Sequence, residues 1–92
     1  MDRAFIRAAV GKNRSRTEIT ATILTVAQNG ERQVNIMKQS HLNSTRLRFY
    51  LSELTRFGLI ETTYAEGARI YTTSQKGTQY ILQYNRISNL LK

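Results

Sequence analysis

Ninety-two residues with a formal net charge of +8 fit one small, strongly basic domain with a single modest core. Cysteine is absent, which excludes disulfides and thiolate metal sites. No apolar run approaches the roughly 18–20 residues that span a bilayer, and Arg3 and Arg7 break up the N-terminal apolar stretch that a secretory signal would need.

Ten of the 14 basic residues are arginine, whose planar fork grips phosphate with two bonds and never loses its charge. That balance points to nucleic acid as the partner. A membrane-surface role fits less well, because no segment joins a broad apolar face to a lysine-rich polar one. The expected location is the cytoplasm, with the nucleoid.

The first sixteen residues hold Arg3, Arg7, Lys12, Arg14 and Arg16 against Asp2 alone. Within them Arg3 to Val10 reads as a short helix capped by Asp2 and stopped by Gly11. Residues 1–14 are read as a basic arm, and 15–92 as the folded domain. A first core helix starts at Ser15, where Ser15 and Glu18 have the spacing of a capping box. Ile19, Ile23, Val26 and Ala27 recur at helical spacing, and Asn29-Gly30 ends the element.

A second helix is predicted from Glu31 to Gln39, with Val34, Ile36 and Met37 on its apolar side. His41-Leu42-Asn43 breaks it. Asn43 caps a third helix from Ser44 to Phe57, with Gly58 just beyond. Leu47, Tyr50, Leu51, Leu54 and Phe57 form its apolar stripe. Leu59 to Tyr64 and Arg69 to Thr72 read as two strands joined tightly through Ala65-Glu66-Gly67-Ala68, a β-hairpin. Ser74 caps a last helix running toward Lys92. The fold class predicted is mostly α with a small β-hairpin: a winged helix-turn-helix of three helices, a two-stranded wing and a C-terminal helix.

The third helix is the natural reading element. With its stripe turned inward, Thr45, Arg48, Phe49, Ser52 and Arg56 fall on the opposite face, with Glu53 beside them and Arg46 on a flank. Arginine reads guanine edges, and Ser or Thr contacts phosphate or base. Phe49 is the odd member: it meets a thymine methyl, meets a partner protein, or folds back onto the domain. In the wing, Glu66 repels phosphate, which leaves Arg69 as the wing's backbone contact. Lys12, Arg14 and Arg16 suit a basic arm that follows the DNA.

On the last helix Tyr80, Tyr84, Ile87 and Leu91 repeat at 4, 3 and 4, the spacing of a helix–helix seam. Ile81 serves the domain core, while Tyr84, Ile87 and Leu91 are expected to meet a second copy. Signals for catalysis are weak: one histidine, His41, at a helix break, scattered carboxylates and no glycine-rich phosphate loop. No enzyme activity, metal, cofactor or small-molecule ligand is expected.

From Ser15 to about Tyr84 the chain resembles the archaeal winged-helix proteins, including the small dimeric chromatin-associated type with a C-terminal coiled coil. The resemblance rests on Arg16-Thr17-Glu18-Ile19, Ile23-Leu24, Gly30, Ile36-Met37, Leu42, Leu47, Tyr50-Leu51, Leu54 and Gly58-Leu59-Ile60. It closes on Tyr71 and Ser74-Gln75-Lys76-Gly77, similar to the family's T-x-K-G helix start. It implies double-stranded DNA binding by a homodimer, in a regulatory or nucleoid-organising role. Phe49 departs from the pattern, standing where the family often has a basic residue. A protein–protein interaction module without DNA binding is the alternative, favoured by Phe49 and Glu66, and RNA is a third possible partner.

Overall fold

The computed structural model describes residues 14–91. The expected arm helix and Lys12 lie outside the described residues. The chain runs α1 (Arg16–Val26), α2 (Gln33–Ser40), α3 (Ser44–Arg56), β1 (Ile60–Ala65), β2 (Ala68–Thr73) and α4 (Gln75–Leu90).

Ser15 opens α1 from an extended backbone, its Oγ accepting the Glu18 N–H at 3.1 Å. This is the hydroxyl half of the predicted capping box. Ile19, Ile23, Leu24 and Ala27 are buried, and Val26 is partly buried against them. Beyond α1, Glu31 does not join the second helix as expected. Its N–H and C=O both bond Tyr71 at 2.9 Å, forming a one-residue bridge on the flank of β2. The second helix therefore starts two residues later than predicted.

In α2 the core-facing positions are Ile36 and Ser40, four apart on one face. Val34 lies about 200° around the helix from Ile36. It is 48% exposed, and the expectation that it supports the apolar side is corrected accordingly. His41 closes α2 in the left-handed region at φ 57. Two residues later Asn43 Oδ1 accepts the Arg46 N–H at 2.8 Å and starts α3. This three-residue connection sets α3 across α2 in helix-turn-helix fashion.

Leu47, Tyr50, Leu51 and Leu54 of α3 are buried as predicted. Phe57 is not part of that stripe in practice: it stands at the helix C-cap, 51% exposed. It lies on the Tyr50 edge of the stripe, one turn past Leu54, where the helix has ended and the Arg56 guanidinium rather than the core lies over its ring.

The hairpin pairs Ile60 with Thr73 and continues to Ala65 with Ala68. Glu66 and Gly67 both take positive φ, 53° and 77°. Two residues of this kind are what a right-twisted two-residue hairpin turn demands. The base of the hairpin is buried through Ile60, Tyr71 and Thr73, and Thr73 Oγ1 donates to the Leu24 carbonyl at 2.6 Å. The wing tip projects into solvent.

Ser74 caps α4, accepting the Gly77 N–H at 3.1 Å. Gly77 is there because nothing larger fits. A Cβ would fall against the Leu59 carbonyl oxygen and stand 2.6 Å from Thr73 Cγ2. The buried residues of α4 are Gly77 and Ile81, both in its first half. Its second half runs past the domain body. Among the described residues no helix is long and apolar enough to cross a membrane.

Candidate nucleic-acid interface

Burial of the α3 stripe decides what α3 offers to solvent. Thr45, Arg46, Arg48, Phe49, Ser52, Thr55 and Arg56 are all exposed. They do not form one uniform patch.

Arg48 and Ser52 face the wing. With Thr55, Thr62, Tyr64 and Arg69 they line an open polar cleft of about 570 Å3. Arg69 is held in place there. Its guanidinium donates to the Tyr64 hydroxyl at 3.1 Å and the Tyr71 hydroxyl at 3.4 Å, and lies 5.7 Å from the Tyr64 ring centroid. These bonds, Tyr71 first and then Tyr64, raise the Arg69 pKa above its ordinary value, so the charge is permanent. A fixed guanidinium loses little side-chain freedom when it meets a phosphate.

Phe49 and Arg56 lie toward the other edge of α3. The Phe49 ring stands edge-on to Tyr50 at 5.7 Å, with the Arg16 guanidinium 6.0 Å from its centroid. Arg16 is thus the first residue of α1, packed beside α3, and not part of a free arm. Arg56 bonds Glu53 at 3.0 and 3.1 Å and lies 4.4 Å from the centre of the Phe57 ring. Arg14 donates to the His41 carbonyl at 3.4 Å, which brings it to the turn between α2 and α3.

The structure therefore brings Arg48, Ser52 and Arg69 together across one cleft, and sets Arg16, Phe49 and Arg56 in a second cluster. Tyr64, Thr62 and Thr55 were missed from sequence. The signal for Tyr64 was present: a two-residue turn at Glu66-Gly67 puts Tyr64 directly opposite Arg69.

Of the seam residues on α4, Tyr84 is partly buried, whereas Ile87 and Leu91 are 60% and 54% exposed. Tyr84, Ile87 and Leu91 border a second, apolar groove beside the start of α1. Among the described residues no group of three or more His, Asp or Glu side chains is placed to hold a metal.

Three helices, a turn of three residues before the exposed third helix, a two-stranded wing and a closing helix define a winged helix-turn-helix domain. The chain belongs to the winged helix-turn-helix family, whose model matches residues 13–92. Comparison with curated proteins gives no match.

Among solved structures, the chain is similar to the DNA-binding protein Sso10a-2 from Sulfolobus solfataricus. The TM-score is 0.77 at 18% identity, covering 84% of this chain and 81% of that one. It is similar to the transcriptional regulator BldR from Sulfolobus solfataricus, with TM-score 0.72 at 17% identity over 96% of this chain and 67% of that one. The MarR family transcriptional regulator Sco5413 from Streptomyces coelicolor gives 0.64 at 19% identity, over 90% of this chain and 61% of that one. At these identities the likeness is one of fold.

Proposed function

We propose that the protein is a non-enzymatic, duplex-DNA-binding regulator or architectural protein that acts as a homodimer. The observation that carries this reading is the cleft in which Arg48 and Ser52 of α3 face the fixed Arg69 of the wing. In the proposed complex α3 enters the major groove, Arg48, Thr45 and Ser52 meet bases or phosphates, and Arg69 grips the backbone beside it. Arg46, Arg14, Arg16 and Lys12 add sequence-independent attraction, and the net charge of +8 favours encounter. Arg56 joins only by giving up Glu53. The DNA-binding descriptions of the similar structures and the family membership support the reading, which places the protein with the DNA of the cell.

Binding titrations at several salt concentrations test it. With about 4–6 phosphates neutralised per bound unit, log affinity falls with log salt at a slope of roughly −4 to −5. A nearly flat response overturns the reading.

The half-exposed Phe49 and Phe57 favour a second reading, a protein-interaction winged helix. It predicts no duplex binding even at low salt. Competition between duplex DNA and RNA separates the remaining nucleic-acid alternative.

A further inference from the structure

The cleft between α3 and the wing is built from one face of each element. Arg48, Ser52 and Thr55 lie within an arc of about 60° on α3. Across from them Thr62 pairs with Tyr71 and Tyr64 with Arg69, and alternate residues of a strand share a face. All of these side chains line the cleft. Among the described residues no carboxylate lines it, and α3 and the wing each supply one arginine.

The two arginines differ in freedom. Arg69 Nη1 donates to the Tyr71 hydroxyl and Nη2 to the Tyr64 hydroxyl. Those bonds use part of the guanidinium's donor fork and leave the rest for an anion. Arg69 therefore sets the place where an anion is held. Arg48 stands on exposed helix surface and pairs with no carboxylate among the described residues, so its rotatable side chain can follow. Two like charges turned into one cleft repel until an anion lies between them. A phosphodiester presents two free oxygens, one to each guanidinium, and the hydroxyls of Ser52 and Thr62 on the two walls are further donors to the same group.

We propose that Arg48 and Arg69 close on one and the same phosphate, so that the cleft is a single-phosphate site joining α3 to the wing. The proposal deepens the DNA-binding reading and rests on it for the source of the phosphate, a backbone phosphodiester. A free phosphate ion has the same chemistry. In this arrangement Arg48 positions α3 on the backbone and reads no base.

A double-mutant cycle on the full chain tests this, with duplex titrations of Arg48→Ala, Arg69→Ala and the double variant at several salt concentrations. Both residues are exposed, so the variants are expected to fold. Losses at independent contacts multiply, to within about twofold. A shared phosphate instead leaves the double variant close to the weaker-binding single one, and the Arg48→Ala loss is the same on duplexes of unrelated sequence. The slope of log affinity against log salt shrinks by about 0.9 in the double variant, the value for one phosphate, where two phosphates give about 1.8. Multiplying losses with a slope change near the larger value, or an Arg48→Ala loss confined to one sequence, overturns the proposal and leaves DNA binding standing. If the parent binds no duplex, the DNA-binding reading fails and inorganic phosphate alone decides the site. Titrated against chloride at equal ionic strength, phosphate is expected to shift the Arg69 side-chain NMR signals saturably, with lower affinity in Arg48→Ala. No phosphate-specific shift, or equal affinity in that variant, overturns the single-phosphate site.

Discussion

Arg56 and Glu53 are locked together on the exposed side of α3, with Arg56 Nε 3.1 Å from Oε2 and Nη2 3.0 Å from Oε1. This is the salt bridge found among the described residues. Arg48, two turns earlier on the same helix, pairs with no carboxylate among the described residues and faces the wing. Two arginines that look equivalent in sequence therefore differ in what they offer DNA.

Arg48→Ala is expected to weaken duplex binding by about 5- to 100-fold, the cost of one lost arginine contact. Arg56→Ala is expected to cost less, because Arg56 has to leave Glu53 before it meets phosphate. Glu53→Gln frees Arg56 and removes a negative charge, so affinity rises by about two- to fivefold, a gain that shrinks as salt rises. Fluorescence anisotropy titrations at matched salt check all three. Equal losses for the two arginine variants would show that the Glu53 pair does not restrain Arg56.

The same pair predicts a titration shift. The hydrogen bond from Arg56 holds the Glu53 carboxyl below its ordinary range, aided by the Arg56 and Arg16 charges and opposed by slight desolvation. A lowered folded-state pKa contributes stability above the unfolded carboxylate pKa, and that contribution is lost as pH falls through the folded value. Arg56→Ala removes the main cause, so the Glu53 midpoint moves up. Carboxyl-carbon NMR titration of parent and variant reads the shift directly, and an unmoved midpoint would place the pair apart in solution.

Two buried positions separate folding from binding. Leu51→Ala opens a cavity in the α3 stripe and is expected to cost roughly 2–5 kcal/mol. Gly77→Ala forces a methyl against the Leu59 carbonyl and Thr73, where backbone has to move, at about 1–3 kcal/mol. Arg48→Ala, on exposed helix surface, stays within about 0.5 kcal/mol of the parent. Urea unfolding of the three variants gives the comparison. A Gly77→Ala variant as stable as the parent would mean that α4 is free to shift away from β1.

Element order was legible because its signals are local. Ser15, Asn43 and Ser74 each cap a helix through a backbone N–H three residues on, and Glu66-Gly67 has the geometry its turn requires. What escaped was tertiary. The Glu31–Tyr71 bridge is one residue long and spans forty positions of sequence, so no periodicity reports it. Val34 and Phe57 are apolar residues at plausible helical spacing, and only the packing reveals that both stay about half exposed. Arg56 read as a contact residue with Glu53 nearby, because helical spacing alone does not say whether Glu53 three residues earlier turns toward it or toward water. Arg69 and Tyr64 were within reach of reasoning, since the turn length fixes which residues face each other across the hairpin.

The exposed end of α4 bears on assembly. Ile87, Leu90 and Leu91 are 60%, 83% and 54% exposed, at a stage of the helix where the domain's own core has already ended with Ile81. A second copy related by a two-fold axis would bury this lip isologously, each Ile87 meeting the same patch of its partner. The pair would present two α3 helices to one duplex, and linking two weak heads raises the effective concentration of the second. The expected state is a homodimer at micromolar concentration. Ile87→Asp places a charge in that contact without touching a core residue, so it is expected to give a folded monomer with a thermal midpoint close to the parent's and weaker DNA binding. Light scattering on both proteins, with circular dichroism to confirm that the variant is folded, distinguishes the outcomes. A parent that remains monomeric at high concentration would assign the α4 lip to some other cover, and an Ile87→Asp variant that still dimerises would move the two-fold contact elsewhere on the domain.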